Sequence, residues 1–335
     1  MADSTANPSP MLYPNSPKSL TSRVEKEGFM KGKLLAYGLL VLPPLFWAGN
    51  FVTGRYISEQ VPAMSLSYWR WTLAMLIAMP LLYRSMWRQR EVISQNWLRI
   101  SILACLGVAG FNSCVYIGLQ NTTATNALII NSMIPIFILL VSWVWLKQRI
   151  TLRQMAGIVL SFVGVLALLV KGQWQQLATF SINQGDGWIV LSSLVWALYS
   201  IGLRYKPAEL GGAAFLGCTL VVGSLVLSPF YWLNLPEAAF EVTNDAIAAL
   251  AYVAVFPSLL AYLAWNYGVK SVGANIAGQY IHLMPLFGAV LSVTFLGEQL
   301  AAYHALGALL IAAGLLVALL PFAAIRGRFA SFKTH

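Results

Sequence analysis

The groups able to do chemistry in this chain are amides, phenols, indoles and one imidazole, all set inside long apolar stretches. Asn50, Asn112, Tyr116, Asn126, Asn131 and Ser132 fall in such stretches in the first half, and Tyr199, Tyr262, Asn266, Gln279, Tyr280 and His282 in the second. Polar side chains are costly in an apolar medium, so their presence there asks for a reason. Amides and phenols supply donors and acceptors without a fixed charge, which suits the carboxylate and amino groups of a zwitterion. Trp47, Trp196 and Trp265, with the tyrosines, add flat faces that stack on an aromatic or apolar body or hold an ammonium. The competing role for the same residues is to bond one helix to the next. Trp87, Trp97, Trp143, Trp145, Trp174, Trp188 and Trp232 stand near the ends of apolar stretches, where indoles anchor at a membrane boundary.

Catalytic patterns are missing. The chain has no Ser/His/Asp constellation, no phosphate loop, no H-E-x-x-H and no Cys/His metal spacing, so it reads as a non-enzyme without metal or cofactor. An intramembrane enzyme would need paired acid and base groups at one depth, and a channel a ring of like residues around a pore. Cys105, Cys114 and Cys218 sit inside apolar stretches and read as small packing residues. Arg70 is the one charge well within a stretch. It could bind a carboxylate, snorkel outward, or bond a neighbouring carbonyl. His282 titrates near neutral pH in general and is a candidate for proton coupling, against the plainer role of a neutral hydrogen-bonding group. Glu298 falls at the outer end of its stretch, and no acid is expected near the midplane.

The elements that position these groups follow from composition. The chain is 59% hydrophobic and 10% charged, far more apolar than a soluble domain. Mean hydropathy is +0.70. Apolar stretches long enough to cross a bilayer follow at 34–56, 63–83, 97–119, 121–146, 152–171, 186–205, 211–233, 244–268, 272–296 and 302–322. The predicted fold class is an all-α polytopic membrane protein with ten transmembrane helices. Residues 1–33 form a polar arm, with no cleavage pattern of a signal peptide, and 323–335 a basic tail.

The net charge of +10 is topological. With the N-terminus inside, the inner side holds Lys18, Arg23, Lys26, Lys31, Lys33, Arg84, Arg88, Arg90, Arg99, Lys147, Arg149, Arg153, Arg204, Lys206, Lys270, Arg326, Arg328 and Lys333. The outer side holds only Arg55 and Lys171, and the loop after the seventh stretch carries Glu237, Glu241 and Asp245. That asymmetry places both termini in the cytoplasm and makes membrane lipids, not nucleic acid, the partner of the basic residues.

The chain also repeats itself. At an offset of about 150 residues, Gly38, Trp47, Ala48 and Arg55 meet Gly187, Trp196, Ala197 and Arg204. Further on, Gly118, Pro135, Gly157 and Gly164 meet Gly268, Pro285, Gly307 and Gly314. The repeats are 34–171 and 186–322, each of five spans, and an odd number makes them inverted. Inverted repeats put a binding site near the midplane and supply two alternately open conformations. Pro43, Pro44, Pro135 and Pro285 are candidate hinges in this scheme, with passive packing kinks as the other reading. Gly157, Gly164, Gly307 and Gly314 read as close-packing seams.

Pro285–Leu319, with its L-G-E and the following G-A-x-L-I-x-x-G, resembles the C-terminal half-signature of the drug/metabolite transporter superfamily, EamA type. Pro135–Leu169 is similar to the same pattern, except that Lys147-Gln148 replaces Gly297-Glu298. Leu45–Arg55 and Tyr68–Trp71 resemble the family's first two spans. Trp47–Asn50 and the aromatic density are most similar to the YddG aromatic amino acid exporters. The resemblance implies ten spans, cytoplasmic termini and outward movement of small metabolites across a bacterial inner membrane. On that basis the expected solutes are neutral aromatic or apolar amino acids, with other small metabolites or amphipathic drugs as the alternative. The expected site residues are Trp47, Asn50, Asn112, Tyr116, Asn131, Trp196, Tyr199, Tyr262, Trp265, Asn266, Gln279, Tyr280 and His282. Multidrug cation exporters use an intramembrane carboxylate to exchange protons for cations, and none is expected here.

Overall fold

The computed structural model describes residues 32–57, 60–119, 121–122, 124–179, 183–233, 239–296 and 301–319. The arm at 1–31, the tail from 320 on, and Gly297, Glu298 and Glu237 lie outside the described residues. Among the described residues there are helices and turns and no strand. The helices are α1 (32–39), α2 (Leu42–Ile57), α3 (Ala63–Arg88), α4 (Arg90–Gln95), α5 (Trp97–Ala104), α6 (Phe111–Leu119), α7 (Ala124–Asn131), α8 (Ile134–Leu146) and α9 (Leu152–Leu169). The second half adds α10 (Gln184–Gly202), α11 (Gly212–Leu233), α12 (Asn244–Val253), α13 (Ala261–Val272), α14 (Ala274–Gln279), α15 (Leu283–Leu296) and α16 (Ala302–Leu319).

Seven helical runs among the described residues are long and apolar enough to cross a membrane: Gly32–Asn50, Trp97–Val115, Ala127–Leu146, Leu152–Leu169, Gln184–Tyr205, Gly212–Leu233 and Asn244–Val272. Helix α3 has the length but is diluted by Ser65, Ser67, Arg70 and Arg84. A 3-10 turn at Tyr280–His282 divides α14 from α15, and α16 is a shorter apolar helix. The side chains left on the outside are themselves apolar, among them Leu76, Leu81, Val144, Leu225, Leu309 and Leu316. A helix satisfies its own backbone and needs only such a surface to sit in hydrocarbon.

The two halves interlock. Helix α9 lies on α16, α3 on α11, α10 on α6 and α8, and α2 on α15 and α13. The α9–α16 pair is the seam expected from the glycines. A Cβ on Gly157 would sit 2.7 Å from the Gly314 oxygen, and one on Gly164 2.8 Å from the Gly307 oxygen. Only glycine lets two backbones approach so closely.

Breaks in the helices repeat as well. A π-helical turn at Cys105–Gly110 joins α5 to α6, and another at Ala254–Leu260 joins α12 to α13. A turn at 132–133 separates α7 from α8, as the 3-10 turn separates α14 from α15. The four candidate-hinge prolines stand at helix starts and not in helix interiors. Pro135 stands in the first turn of α8 and Pro285 in that of α15, while Pro43 and Pro44 begin α2 after a turn at 40–41. The first turn of a helix has no use for backbone N–H groups, so proline fits there at no loss. Lys147 ends α8 in the left-handed region at φ 51, the position where the second half has Gly297. A lysine there is strained by about 1 kcal/mol, which glycine would avoid.

Candidate functional site

Five of the expected site residues meet at one buried point. Trp47 on α2, Trp196 and Tyr199 on α10, and Tyr262 and Trp265 on α13 form a single aromatic cluster. The Trp196 ring centre is 5.1 Å from Trp47, 5.3 Å from Tyr199, 5.6 Å from Tyr262 and 5.5 Å from Trp265. Trp47 is 5.5 Å from Trp265. The rings are tilted or edge-on, the arrangements their quadrupoles favour. Two residues that the sequence did not single out as site residues complete the cluster: Trp71 on α3, 5.1 Å from Tyr262, and Phe111 on α6, 4.8 Å from Trp196. Trp71 had its signal in Tyr68–Trp71, the arginine-bearing aromatic run; Phe111 has none beyond adjacency to Asn112.

The π turns explain how this cluster is held. A π turn takes some carbonyls out of the regular ladder, and free carbonyls in an apolar interior must find donors. The Tyr262 hydroxyl donates to the carbonyl of Gly107 in the first π turn. The Trp47 indole donates to the carbonyl of Pro257 in the second, at 3.1 Å. Gly107 and Pro257 are corresponding positions of the two repeats, and each is bonded by an aromatic side chain from the other half. Gly107 must be glycine, because a Cβ there would lie 2.5 Å from the Tyr199 ring.

Arg70 sits beside the cluster, and it neither snorkels nor reaches a carbonyl. It is 3% exposed. Its Nε donates to Ser258 Oγ at 2.9 Å, Nη1 donates to Asn112 Oδ1 at 3.3 Å, and the guanidinium carbon lies 4.9 Å from the centre of the Trp71 ring. Pro257 supplies no N–H, and the Ser258 hydroxyl bonds the Val253 carbonyl at 2.8 Å instead. Asn112 Nδ2 donates to the Val108 carbonyl at 3.3 Å. Both neutral partners of Arg70 are thus fixed by the π turns. No described acid pairs with it. The other buried charge among the described residues, Asp186, accepts from the Asn183 backbone N–H at 2.9 Å and from the Thr122 hydroxyl, capping α10.

Asn266 joins the cluster by accepting from the Tyr199 hydroxyl at 2.7 Å. Asn50 is half-buried, with Oδ1 enclosed and unpaired. The side chains of Tyr116 and Asn126 lie outside the described residues.

The EamA-like transporter family describes residues 34–170 and again 183–320. The chain belongs to the EamA-like transporter family. Among relatives of that family, the uncharacterized transporter YyaM of Bacillus subtilis is 27% identical over 285 residues, covering 84% of this chain and 92% of the relative. A probable terminal-alkyne amino-acid exporter of Streptantibioticus cattleyicolor is 24% identical, over 77% of this chain and 84% of the relative. A solved crystal structure shares the fold with a TM-score of 0.70 at 17% identity, across 86% of this chain and 97% of that one. A multi-pass membrane transporter is therefore the class of this protein.

The remaining expected residues of this EamA-like chain stand at the paired helix breaks. His282 is fully buried, with Nε2 2.9 Å from the Ser132 carbonyl and Nδ1 against the Ser161 hydroxyl. A carbonyl only accepts, so Nε2 carries the proton, and in neutral imidazole Nδ1 accepts from Ser161. Ser132 and His282 are corresponding positions, so the contact joins the two breaks directly. Asn131 accepts from Ser193 at 3.1 Å, and Gln279 donates to the Asn275 carbonyl at 3.2 Å with Oε1 unpaired. Tyr280 is buried in the core. None of these four makes a ring contact with the aromatic cluster.

An open cleft of about 600 Å³ lies at the ends of α5, α8 and α10, lined by Arg99, Trp145, Arg204, Tyr205 and Lys206 among others. Burial, with repulsion from Lys270 behind it, lowers the Lys206 ammonium pKa, and its Nζ donates to the Pro207 carbonyl at 3.1 Å.

Proposed function

We propose that this transporter exports neutral aromatic or apolar amino acids from the bacterial cytoplasm, by alternating access around the aromatic cluster. In this reading α3, α14–α15 and α16 join the seven long apolar runs to give ten crossings. These form two inverted five-helix repeats, 34–171 and 186–322, between a cytoplasmic arm and a cytoplasmic tail in the inner membrane. The observation that carries the reading is that indoles and phenols from both halves meet at one buried point, tied to carbonyls that the π turns release. Such rings would stack on an aromatic solute, and edge-to-face pairs of this kind contribute about 0.5–1.5 kcal/mol beyond area burial.

Two further features support it. The paired breaks and π turns are short elements able to take up a change of backbone angle, with Pro135 and Pro285 as matched hinges and Pro43 and Pro44 as another. The Streptantibioticus relative is named as an amino-acid exporter, and the resemblance to the YddG exporters rests on Trp47–Asn50. Export of other small metabolites or amphipathic drugs is the second reading, since a flat apolar solute of any kind would suit the cluster.

Purified protein in liposomes, offered a panel of labelled amino acids with and without a pH gradient, tests the proposal. Saturable uptake of phenylalanine, tyrosine or tryptophan supports it. Transport of amphipathic drugs with no amino acid moved would favour the second reading.

A further inference from the structure

We propose that Arg70 is the seat of a carboxylate, and that the solutes are carboxylates carrying an aromatic or apolar body. This rests on the reading that the aromatic cluster holds the solute, and adds which chemical group is recognised and where.

Around Arg70, donors outnumber acceptors. A guanidinium stays charged in a protein and offers five N–H donors in a planar fork. Two of those bonds, to Ser258 and Asn112, go to neutral groups. A buried charge is costly unless it is paired, and among the described residues no carboxylate pairs with this one. The excess extends across the neighbouring rings. The indole N–H groups of Trp71, Trp196 and Trp265 are all buried with no hydrogen-bond partner. An indole nitrogen only donates, and an unpaired donor in an apolar interior calls for a reason. The four groups form one patch: Trp71 touches the guanidinium and Tyr262, and Tyr262 touches Trp196, which touches Trp265.

A site with a fixed positive charge and surplus donors is completed by a ligand that brings a negative charge and acceptors. A carboxylate does both, and its two oxygens match the guanidinium fork. An amine alone would bring a second positive charge and more donors. Asn50 Oδ1, one turn along α2 from Trp47, is a buried unpaired acceptor placed to take the ammonium of a zwitterion. Amino acids and simple aromatic acids therefore fit, while the corresponding amines and amides do not.

Intrinsic fluorescence of the protein in nanodiscs gives the test, titrated with phenylalanine, 3-phenylpropionate, phenylalaninamide and phenethylamine. The two acids are expected to bind about tenfold or more tightly than the amide and the amine, the scale of a hydrogen-bonded charge pair. Arg70→Gln is expected to bring acid and amide to equal affinity by weakening the acid alone, whereas a purely structural arginine would weaken all four together. Should that variant fail to fold, Asn112→Asp answers the same question. It places a carboxylate on the atom that already accepts from Arg70, at the cost of the bond to the Val108 carbonyl, so in protein that still unfolds cooperatively acid binding is expected to fall about tenfold or more. Acid preference persisting in either folded variant would overturn the assignment. Wild-type protein binding amide as well as acid would overturn it too, with the aromatic reading left standing. Wild-type protein binding none of the four would overturn both.

Discussion

Replacing Gly314 by alanine offers a sharp check on how the two halves are held. A methyl group there would lie 2.5 Å from the Gly157 carbonyl oxygen, 2.6 Å from the Ser161 backbone nitrogen and 2.7 Å from Ser161 Cβ. Ordinary contacts at such atoms are about 3.5 Å, so α9 and α16 must separate by about 1 Å over that turn. Backbone cannot rotate out of the way as a side chain can. Overpacking of this kind costs about 1–3 kcal/mol. Gly164→Ala, facing the Gly307 oxygen at 2.8 Å, should cost a similar amount. Gly187→Ala on α10 is the control, since nothing lies within 4 Å of its added methyl. It should be neutral or slightly stabilising, as alanine is the better helix former. Thermal unfolding in detergent, followed by near-ultraviolet circular dichroism, ranks the three. Midpoints lowered for Gly314→Ala and Gly164→Ala, but not for Gly187→Ala, are expected. Three equal midpoints would refute the seam as a backbone-to-backbone contact.

Other outcomes follow from the same geometry. Trp47→Phe removes the donor to the Pro257 carbonyl and should cost about 0.5–2 kcal/mol of stability, whereas Trp196→Phe removes an unpaired donor and should cost less, while both reduce uptake of aromatic amino acids. His282→Gln should keep substantial transport, because the amide can still donate towards the Ser132 carbonyl; loss of transport at normal protein level, with uptake following the pH gradient, would make His282 a coupling site. Single cysteines in a cysteine-free background should be shielded from impermeant reagents at Arg88 and labelled at Glu241 in intact cells; the reverse pattern would overturn the orientation.

Much of this was legible in the sequence because the repeat and the apolar medium constrain it. The glycine seam was readable because spacing alone puts Gly157 and Gly164 on one helix face. Trp47, Trp196 and Tyr262 were readable because indoles and phenols deep in apolar stretches are conspicuous. The π turns were not, because hydrophobic periodicity barely changes when one residue is added to a turn; only Pro257 hinted at one, and Cys105–Gly110 contains no proline. Arg70 was visible as a charge, but its partners were not, since Ser258 is an unremarkable serine until Pro257 removes an N–H beside it. That Pro43, Pro44, Pro135 and Pro285 stand in first turns was not legible, because a sequence does not show that a helix has already ended before a proline. His282, Asn131, Gln279 and Tyr280 share the polarity of the cluster residues, and only the structure shows that they stand at the breaks between α7 and α8 and between α14 and α15, with hydrogen bonds of their own.

Where the solute sits is measured directly by photo-crosslinking. A photoactivatable analogue of phenylalanine, irradiated with the protein in nanodiscs and mapped by peptide mass spectrometry, should label segments around Trp47 on α2, Trp196 on α10 and Trp265 on α13, with excess phenylalanine suppressing the adducts. Suppressible adducts confined to the cleft of Arg99, Arg204 and Lys206, with none on those three helices near the cluster, would contradict it.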